Sequence, residues 1–489
     1  MDSLSAQDAS FLNVEDEVSH MHIGSVGIFE GPPPSRQELL AAVEGKLHLV
    51  PRYRQKVRLP PFHVGPPVWI DDTHFNRDYP VRRTALASPG GEDELRALVG
   101  RVMSQQLDRT KPLWEMWVAE GLGAGRWALI SKTHHCMVDG VAATDLGSVL
   151  LDAERAPARD PSPTWHPARE PSRVELTTRP LVNLLTSPMQ LMSAAGEAAR
   201  GPRQAAELAL QTVQGTLTMR SLLRPTPRSS LNGSIGPHRR WDWASCRLSD
   251  VKTVREGLGG TINDVVLAVI SRGFRDLLIS RGEQPERRIV RTLVPVSVRR
   301  PQDRGTYNNR VSAMYAELPV GIEDPVQRLN SLRTQMEGLK RSHEAVAGEV
   351  LTSLSGFAPA LLLALGTRLA FRLPQRSINT VTTNVPGPQH PLYLTGRRML
   401  EAIPFVPLAG QVRVGVAIFS YDGSLRFGVT GDYDTAPDIR VLCQGIEAGM
   451  DELLTAARER VKPPARRGRK RATTTPSSAP LGQEPGSRA

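Results

Sequence analysis

The sequence predicts a mixed α/β protein built from two domains. Its 489 residues exceed what one ordinary hydrophobic core holds, so two domains of roughly 150 to 230 residues are expected. Strand-like apolar runs alternate with amphipathic helical runs in both halves of the chain. We therefore predict a first domain over residues 1–170, a helical connector over 171–230, a second domain over 231–460 and a basic disordered tail over 461–489.

The elements of the first domain follow from its hydrophobic periodicity. Alternating or β-branched apolar runs indicate strands, and apolar residues three or four positions apart indicate helices. The predicted strands are Ile23–Phe29, Leu113–Glu120 and Trp127–Thr133, and the predicted helices are Arg36–Leu49, Glu92–Gln106 and Ala142–Leu151.

The second domain repeats the same alternation after a connector rich in Ala, Leu and Gln over residues 180–224. Its predicted strands are Val290–Val298, Arg310–Leu318, Ile378–Val385, Val412–Phe419 and Ser424–Tyr433. Its predicted helices are Ile262–Arg281, Asp324–Arg341 and Ile439–Arg460. No short-period repeat is evident, although the two halves share an α/β texture.

The apolar segments predict neither a secretory signal nor a membrane span. Residues 1–5 contain no basic or apolar run of the kind a signal peptide needs. The most apolar stretch, Val350–Pro374, is interrupted by Pro359 and contains Arg368 and Arg372. Its uninterrupted apolar part is shorter than the ~20 residues that a span requires, so we predict a buried or interfacial helix.

The cysteines argue against disulfide-rich and zinc-binding proteins, and the positive charge is concentrated in the tail. Cys136, Cys246 and Cys443 lie far apart and form no CxxC pair, which argues against a disulfide framework or a structural zinc site and indicates a reducing cytoplasm. From Arg460 onward there are eight basic residues and one acid, so this tail carries +7 of the net charge of +11. This basic composition indicates either a solvated tail without a specific partner or a tail that contacts anionic lipid or nucleic acid.

The most informative segment is Thr133-His134-His135-Cys136-Met137-Val138-Asp139-Gly140. It follows an apolar strand, so we expect the two histidines to point to opposite sides of the chain, one packed and one facing a cleft. Gly140 permits a tight turn directly after Asp139. An imidazole titrates near neutrality and can take a proton from a hydroxyl without a metal or a cofactor.

Three rival chemistries fit this segment poorly. A metal site needs further ligands, and neither HExxH nor a second histidine cluster is present. A serine hydrolase needs GxSxG, and Asn232-Gly233-Ser234-Ile235-Gly236 lacks the first glycine. Cys136 is expected to point away from its neighbour His135, which favours packing over a nucleophilic role. General-base catalysis by histidine without a covalent enzyme intermediate remains.

The HHxxxDG segment resembles that of the CoA-dependent acyltransferase superfamily, and further blocks resemble the bacterial wax ester synthase/acyl-CoA:diacylglycerol acyltransferase family. These blocks run in the family's order through nearly all of the chain except the tail. They are Leu4–Leu12 with Met21–Gly24, Pro112–Glu115, Leu231–Gly233 with Arg239-Arg240, Thr261–Leu267, Val294–Arg299, Asn309–Ser312 and Thr383–Pro388. One departure is Cys136, where the family commonly has a small apolar residue.

The resemblance implies two chloramphenicol-acetyltransferase-like domains with an active-site channel at their interface. It implies that His135 is the general base, that His134 supports it, and that Asp139 orients the loop rather than acting as a charge partner in catalysis. An arginine of the other half is expected to pair with Asp139, and our candidate is Arg299. The resemblance implies acyl-CoA as a substrate and no cofactor or metal.

Several of these positions also have a purely structural interpretation. Trp114 fills the core or contacts substrate, and Asn263 and Asp264 cap a helix or contact substrate. Asn263 and Ser297 are our candidate oxyanion donors. Asn384 belongs to a block whose Pro386–Pro388 part predicts a turn by composition alone.

Three functions remain open from the sequence. The first is an O-acyltransferase that makes triacylglycerol from diacylglycerol, or a wax ester from a fatty alcohol at the same site. The second is a non-catalytic lipid-binding or lipid-droplet protein, against which the complete HHxxxDG motif argues. The third, a nucleic-acid binder, rests on the tail alone, and we expect no specific nucleic acid. We predict a cytoplasmic protein attached peripherally to the inner face of the cell membrane or to lipid droplets.

Overall fold

Two six-stranded sheets organise the structure, a computed structural model that describes residues 2–61, 66–137, 149–157, 163–178, 226–297, 311–341 and 377–461. The helices are α1 (Ala6–Val14), α2 (Arg36–Lys46), α3 (Glu92–Ser104), α4 (Leu248–Leu258), α5 (Ile262–Ser280), α6 (Pro325–Arg341) and α7 (Ile439–Val461).

The strands of the first half are β1 (Asp2–Ser3), β2 (His22–Phe29), β3 (Gln55–Arg58), β4 (Val68–Asp71), β5 (Val81–Ala85), β6 (Trp114–Leu122) and β7 (Arg126–His134). Those of the second half are β8 (Arg239–Arg247), β9 (Val290–Ser297), β10 (Val311–Leu318), β11 (Thr380–Pro386), β12 (Tyr393–Leu394), β13 (Arg397–Phe405), β14 (Val414–Tyr421) and β15 (Ser424–Asp432).

The first sheet has the strand order β12-β13-β2-β7-β6-β5. All neighbours are antiparallel except the parallel pair β5 and β6. Its two outer strands at one edge, β12 and β13, come from the sequence range predicted for the second domain, so that half of the chain completes the sheet of the first. A separate three-stranded sheet, β1-β4-β3, lies in the first half.

The second sheet has the order β10-β9-β11-β14-β15-β8. Here β11 runs parallel to both of its neighbours, β9 and β14, while the other pairs are antiparallel. Helices α4 to α7 contribute to the hydrophobic core that covers this sheet, and α5 is buried over consecutive residues from Asp264 to Ser271. A helical segment buried on all sides is apolar all round, which explains the unbroken apolar run over residues 265–270 in the N-terminal half of α5.

The start of α5 is defined by a reciprocal capping box. The side chain of Thr261 accepts a hydrogen bond from the Asp264 amide, and Asp264 Oδ2 accepts one from the Thr261 amide at 2.8 Å. Such caps satisfy amide groups that have no partner inside the helix. Gly259 and Gly260, both with positive φ, make the turn from α4.

The two halves meet along a polar and apolar seam. Trp241 of β8 is buried in the cluster formed by α3 and the first sheet, together with Ile403 and Phe405 of β13. Beside them, Arg96 of α3 donates to Asp242 at 2.5 Å. Along this seam lies a groove of about 970 Å³, and none of the predicted site residues lines it.

Most predicted elements are confirmed to within a few residues, but some lie outside the described residues. The predicted helix Ala142–Leu151 is described only from residue 149, and the connector only over 171–178 and 226–230, with a helix at 173–178. The apolar stretch Val350–Pro374 and residues 462–489 of the tail are likewise outside. In the described part of the chain, no helix is long and apolar enough to cross a membrane.

Candidate active site

The histidine pair lies where β7 ends. The strand continues through His134, one residue further than predicted, and His134 pairs with His22 of β2. His135 then begins a short 3₁₀ turn, His135–Met137. As predicted for two residues at a strand end, the side chains have different surroundings: His134 is fully buried and His135 is half-buried.

His134 is held through its backbone and its ring. Its amide donates to the carbonyl of Leu113 at 2.9 Å. Its Nδ1 accepts a hydrogen bond from the amide of Cys136 at 3.1 Å, which links the ring to the turn that contains His135. Its Nε2 lies 3.3 Å from Oε2 of Glu15.

Glu15, at the end of α1, is a buried carboxylate surrounded by cationic and imidazole groups. Its side chain is 1% exposed, its Oε1 lies 3.4 Å from Nε2 of His22, and Arg109 Nε donates to its Oε2 at 2.9 Å. Burial raises the pKa of Glu15, but the contacts with His134 and His22 and the charge of Arg109 outweigh it and lower this pKa well below its usual range. Burial lowers the pKa of His22 to about 3.

His135 is oriented by its neighbours and is neutral near pH 7. The ring of Phe11 stacks on it with centroids 3.9 Å apart and an interplanar angle of 21°. Its amide donates to the carbonyl of Met21 at 2.8 Å. Burial lowers the pKa of His135 to about 4. A hydrogen bond to its own backbone raises this pKa, and the charge of His134 lowers it further. Its Nδ1 is buried.

Cys136 packs in the core rather than serving as a nucleophile. It is 2% exposed and belongs to the apolar cluster around β6 and β7. Burial raises the pKa of its thiol well above the usual value, so the thiolate that a nucleophilic cysteine requires is disfavoured.

Several predicted positions lie outside the described residues or are described by backbone alone. Asp139, Gly140 and Arg299 are outside, so the pairing of Asp139 with Arg299 stays a prediction. Ser297 is the last residue of β9, where it pairs with Val311.

The residues at the start of α5 fall into two groups. Asp264 is 3% exposed and takes part in the capping box with Thr261. Thr261 was not predicted as the cap. Asn263 faces Asn384 of β11, whose Nδ2 donates to Asn263 Oδ1 at 3.5 Å. The helix start and the β11 strand therefore meet, and Asn263, not Asp264, is at the junction.

Trp114 lies in the core. It is 1% exposed, and its Nε1 donates to the carbonyl of Tyr53 at 2.9 Å. Its indole packs edge-on against the Tyr53 ring, with centroids 5.4 Å apart. These contacts account for Trp114 through packing.

Glu15 and Arg109 were missed by the sequence analysis, and Phe11 and His22 were noted only as parts of a family signature. No spacing in the sequence connects residue 15 with residue 134, because the contact is made by tertiary packing. The one local signal is that Phe11 and Glu15 are four residues apart and so lie on one face of a helix. Within the described ranges, no group of histidine, cysteine and acidic residues could hold a metal ion.

Comparison with known proteins identifies the family. Residues 4–266 match the model of the wax ester synthase/diacylglycerol acyltransferase catalytic domain, and residues 307–454 match the C-terminal domain of the same family. A probable diacylglycerol O-acyltransferase of Mycobacterium tuberculosis, tgs1, is 37% identical over 470 residues, which cover 96% of this chain and 99% of the relative.

Solved structures agree with this match. The wax ester synthase/diacylglycerol acyltransferase from Marinobacter aquaeolei VT8 is similar with a TM-score of 0.65 and 25% identity, over 93% of this chain and 99% of that one. The first condensation domain of the CDA synthetase shares the fold with a TM-score of 0.56 and 16% identity, over 93% of this chain and 96% of that one. The predicted α/β fold is thereby confirmed, and the chain belongs to the wax ester synthase/diacylglycerol acyltransferase family of acyltransferases.

Proposed function

We propose that the chain transfers a long-chain acyl group from acyl-CoA to the free hydroxyl of diacylglycerol, giving triacylglycerol and CoA. The observation that carries this proposal is the placement of His135, a half-buried imidazole directly after the end of β7 whose ring is stacked on Phe11. An imidazole that is neutral at pH 7 is ready to accept a proton. The choice of diacylglycerol is supported by the name of the relative that is 37% identical.

The reaction requires one proton acceptor that later returns the proton. Because Nδ1 of His135 is buried, Nε2 is the nitrogen that takes the proton from the acceptor hydroxyl. The hydroxyl oxygen attacks the thioester carbonyl carbon, the tetrahedral oxyanion collapses, and the carbon–sulfur bond breaks. His135 then returns its proton to the CoA thiolate, so no cofactor is consumed.

The remaining roles are part of the same proposal. Asn263 and Ser297 are candidate donors to the oxyanion, and Asn384 positions the Asn263 amide. Asp139 and Arg299 hold the loop after the histidines, and Gly140 makes its turn.

The test compares His135→Ala with a matched histidine variant, His390→Ala, which removes an exposed imidazole outside the site. Release of CoA from palmitoyl-CoA is measured with dioleoylglycerol, with hexadecanol and without acceptor, and the lipid product is identified by chromatography. His135→Ala should lower the rate at least about 100-fold, because general-base catalysis contributes roughly 10²–10⁴-fold. His390→Ala should retain the wild-type rate.

Two outcomes would contradict the proposal. If folded His135→Ala kept more than a few percent of the activity, His135 would not be the base. If hexadecanol were the faster acceptor, the chain would be a wax ester synthase that uses the same site.

We further propose that the protein attaches peripherally to an anionic membrane surface or lipid droplet through its basic C-terminal tail. Residues 462–489 contain seven basic side chains and one acidic one, and their six excess positive charges would be attracted to acidic lipid head groups. The full-length chain should float with vesicles containing phosphatidylglycerol but not with pure phosphatidylcholine vesicles. A chain that ends at residue 461 should lose this flotation; unchanged flotation would exclude the tail as the attachment, and binding to RNA alone would favour a nucleic-acid partner.

A further inference from the structure

A single helix contacts both histidines of the motif. In α1, Phe11 stacks on the ring of His135, and four residues later Glu15 faces the ring of His134. The two positions are joined by a backbone hydrogen bond, because the Glu15 amide donates to the Phe11 carbonyl at 3.2 Å. A shift of the helix end would therefore be transmitted to both imidazoles.

The contacts of His134 define where its proton lies. Its Nδ1 accepts the amide proton of Cys136, so in the neutral ring the proton must be on Nε2. Nε2 points towards the carboxylate of Glu15, with 3.3 Å between the nitrogen and Oε2, an electrostatic contact that is not aligned as a full hydrogen bond. A carboxylate next to one ring nitrogen favours the tautomer that carries the proton there.

The carboxylate itself is fixed from the opposite side. Arg109 donates to Oε2 of Glu15 through Nε at 2.9 Å, and its Nη2 donates to the carbonyl of Leu12 at 3.1 Å. The guanidinium thereby joins the end of α1 to the segment that follows α3. Oε1 of Glu15 faces Nε2 of His22, which itself accepts from the amide of Leu107 at 3.3 Å.

We propose that Glu15 is a positioning residue of the acyl-transfer site: it holds His134 in the Nε2–H tautomer and ring orientation in which Nδ1 binds the Cys136 amide, and so maintains the turn that presents His135. This proposal rests on the proposed function. Glu15 touches no substrate; it acts through His134 and the His135–Met137 turn. Loss of its charge should slow the chemical step without weakening substrate binding.

The main test is Glu15→Gln, which keeps the shape of the side chain but removes its charge. Its matched control is Glu30→Gln, which also removes a carboxylate paired with an arginine, Arg155, but at the surface. Glu15→Gln should lower kcat about 10- to 100-fold with KM for palmitoyl-CoA unchanged within twofold, because an outer partner that orients a histidine has effects of that size. Glu30→Gln should match the wild type, and Glu15→Asp should recover part of the lost kcat.

A second measurement is made on the wild type, so its result does not depend on whether Glu15→Gln folds. In wild-type protein labelled with ¹⁵N-histidine, two-bond ¹H–¹⁵N spectra at pH 7 should show His134 protonated on Nε2 and not on Nδ1. The resonance is assigned by its loss in His134→Gln. In folded Glu15→Gln the Nε2–H population should fall.

The outcomes separate this proposal from the proposed function. A dead His135→Ala together with a fully active, folded Glu15→Gln would overturn the role of Glu15 and leave the base assignment intact. An Nδ1–H tautomer of His134 in the wild type would also overturn it, as would a raised KM with unchanged kcat. If His135→Ala were active, the proposed function would fail first.

Discussion

The chemistry of His135 depends on the balance between its burial and its access to substrate. A fully exposed imidazole would be partly protonated at neutral pH, and a fully enclosed one would never meet a hydroxyl. The half-buried turn between His134 and Met137 combines a lowered pKa with a side chain that is still partly accessible. Stacking on Phe11 restricts the rotation of the ring without adding a charge that would change its basicity.

The pKa of His135 has a measurable consequence for the rate. The base is active when neutral, so kcat/KM should be constant above the pKa of the free enzyme and fall tenfold per pH unit below it. Because burial lowers the pKa of His135 to about 4, the acidic limb should lie near pH 4. Initial rates from pH 3.5 to 8, on enzyme shown to be folded at each pH, measure this limb, and a midpoint near the 6.5 of a free imidazole would contradict it.

The role of a single residue could be predicted only where it follows from that residue and its neighbours in the sequence. His134 and His135 are adjacent after an apolar strand, and this pattern alone indicates one packed and one accessible imidazole. Glu15 and Arg109 could not be found in the same way. Their contacts join residues 94 or more positions apart, and such a pairing depends on how the sheet and α1 pack.

The helices and strands are stabilised by local devices that are largely independent of the active site. The clearest is the capping box at the start of α5, where Thr261 and Asp264 exchange hydrogen bonds. This structural duty explains Asp264 without reference to a substrate. Asn263, its neighbour, is free of that duty and faces β11.

Removal of the cap should affect stability and not chemistry. Thr261→Ala should lower the free energy of unfolding by about 1 kcal/mol, because a lost N-cap typically costs 0.5–2 kcal/mol. Denaturant unfolding measures the change, and kcat should stay within twofold of wild type. The matched control, Thr253→Ala at a half-buried position inside α4, should change stability by less than about 0.5 kcal/mol. Equal losses in both variants would show that the cap contributes nothing specific.

At the scale of elements, prediction succeeded where hydrophobic periodicity is long and failed where it is short. The 19 residues of α5 and the 23 of α7 carry enough periodic positions to be located within about two residues. Strands β3 and β4 have only four residues each and β12 has two, too few for alternation to be distinguished from a loop. Strand β8 was missed although it has nine residues, because charged and polar residues interrupt the apolar positions along Arg239–Arg247.

The whole molecule is held together where strands of both sheets approach closely. Gly428 of β15 lies so near β13 that a Cβ atom at this position would overlap the carbonyl oxygen of Pro404. The Nε1 of Trp241 donates to the same carbonyl at 3.2 Å. This packing allows the second sheet to lie against a strand of the first sheet. The close contact between β15 and β13 could not be predicted from the sequence alone.

Enlarging this glycine should therefore separate the two sheets. Gly428→Ala should lower the free energy of unfolding by about 1–3 kcal/mol, the usual cost of overpacking a tight site, with a lower thermal midpoint. Gly338→Ala is the matched control, because a Cβ there meets nothing within 4 Å and lies in helix α6. It should raise stability by up to about 1 kcal/mol. If Gly428→Ala were as stable as the wild type, the two strands would not be in tight contact.

The crossing of β12 and β13 into the first sheet also bears on the order in which the protein can be made. A ribosome releases the first half of the chain before residues 393–405 exist, so β2 emerges with one edge unpaired. An open strand edge is a template for association with other chains. The nascent protein must keep that edge shielded until synthesis has passed Phe405. Separately expressed halves divided at the connector would leave the first sheet without β12 and β13, and would leave those two strands without the sheet they complete.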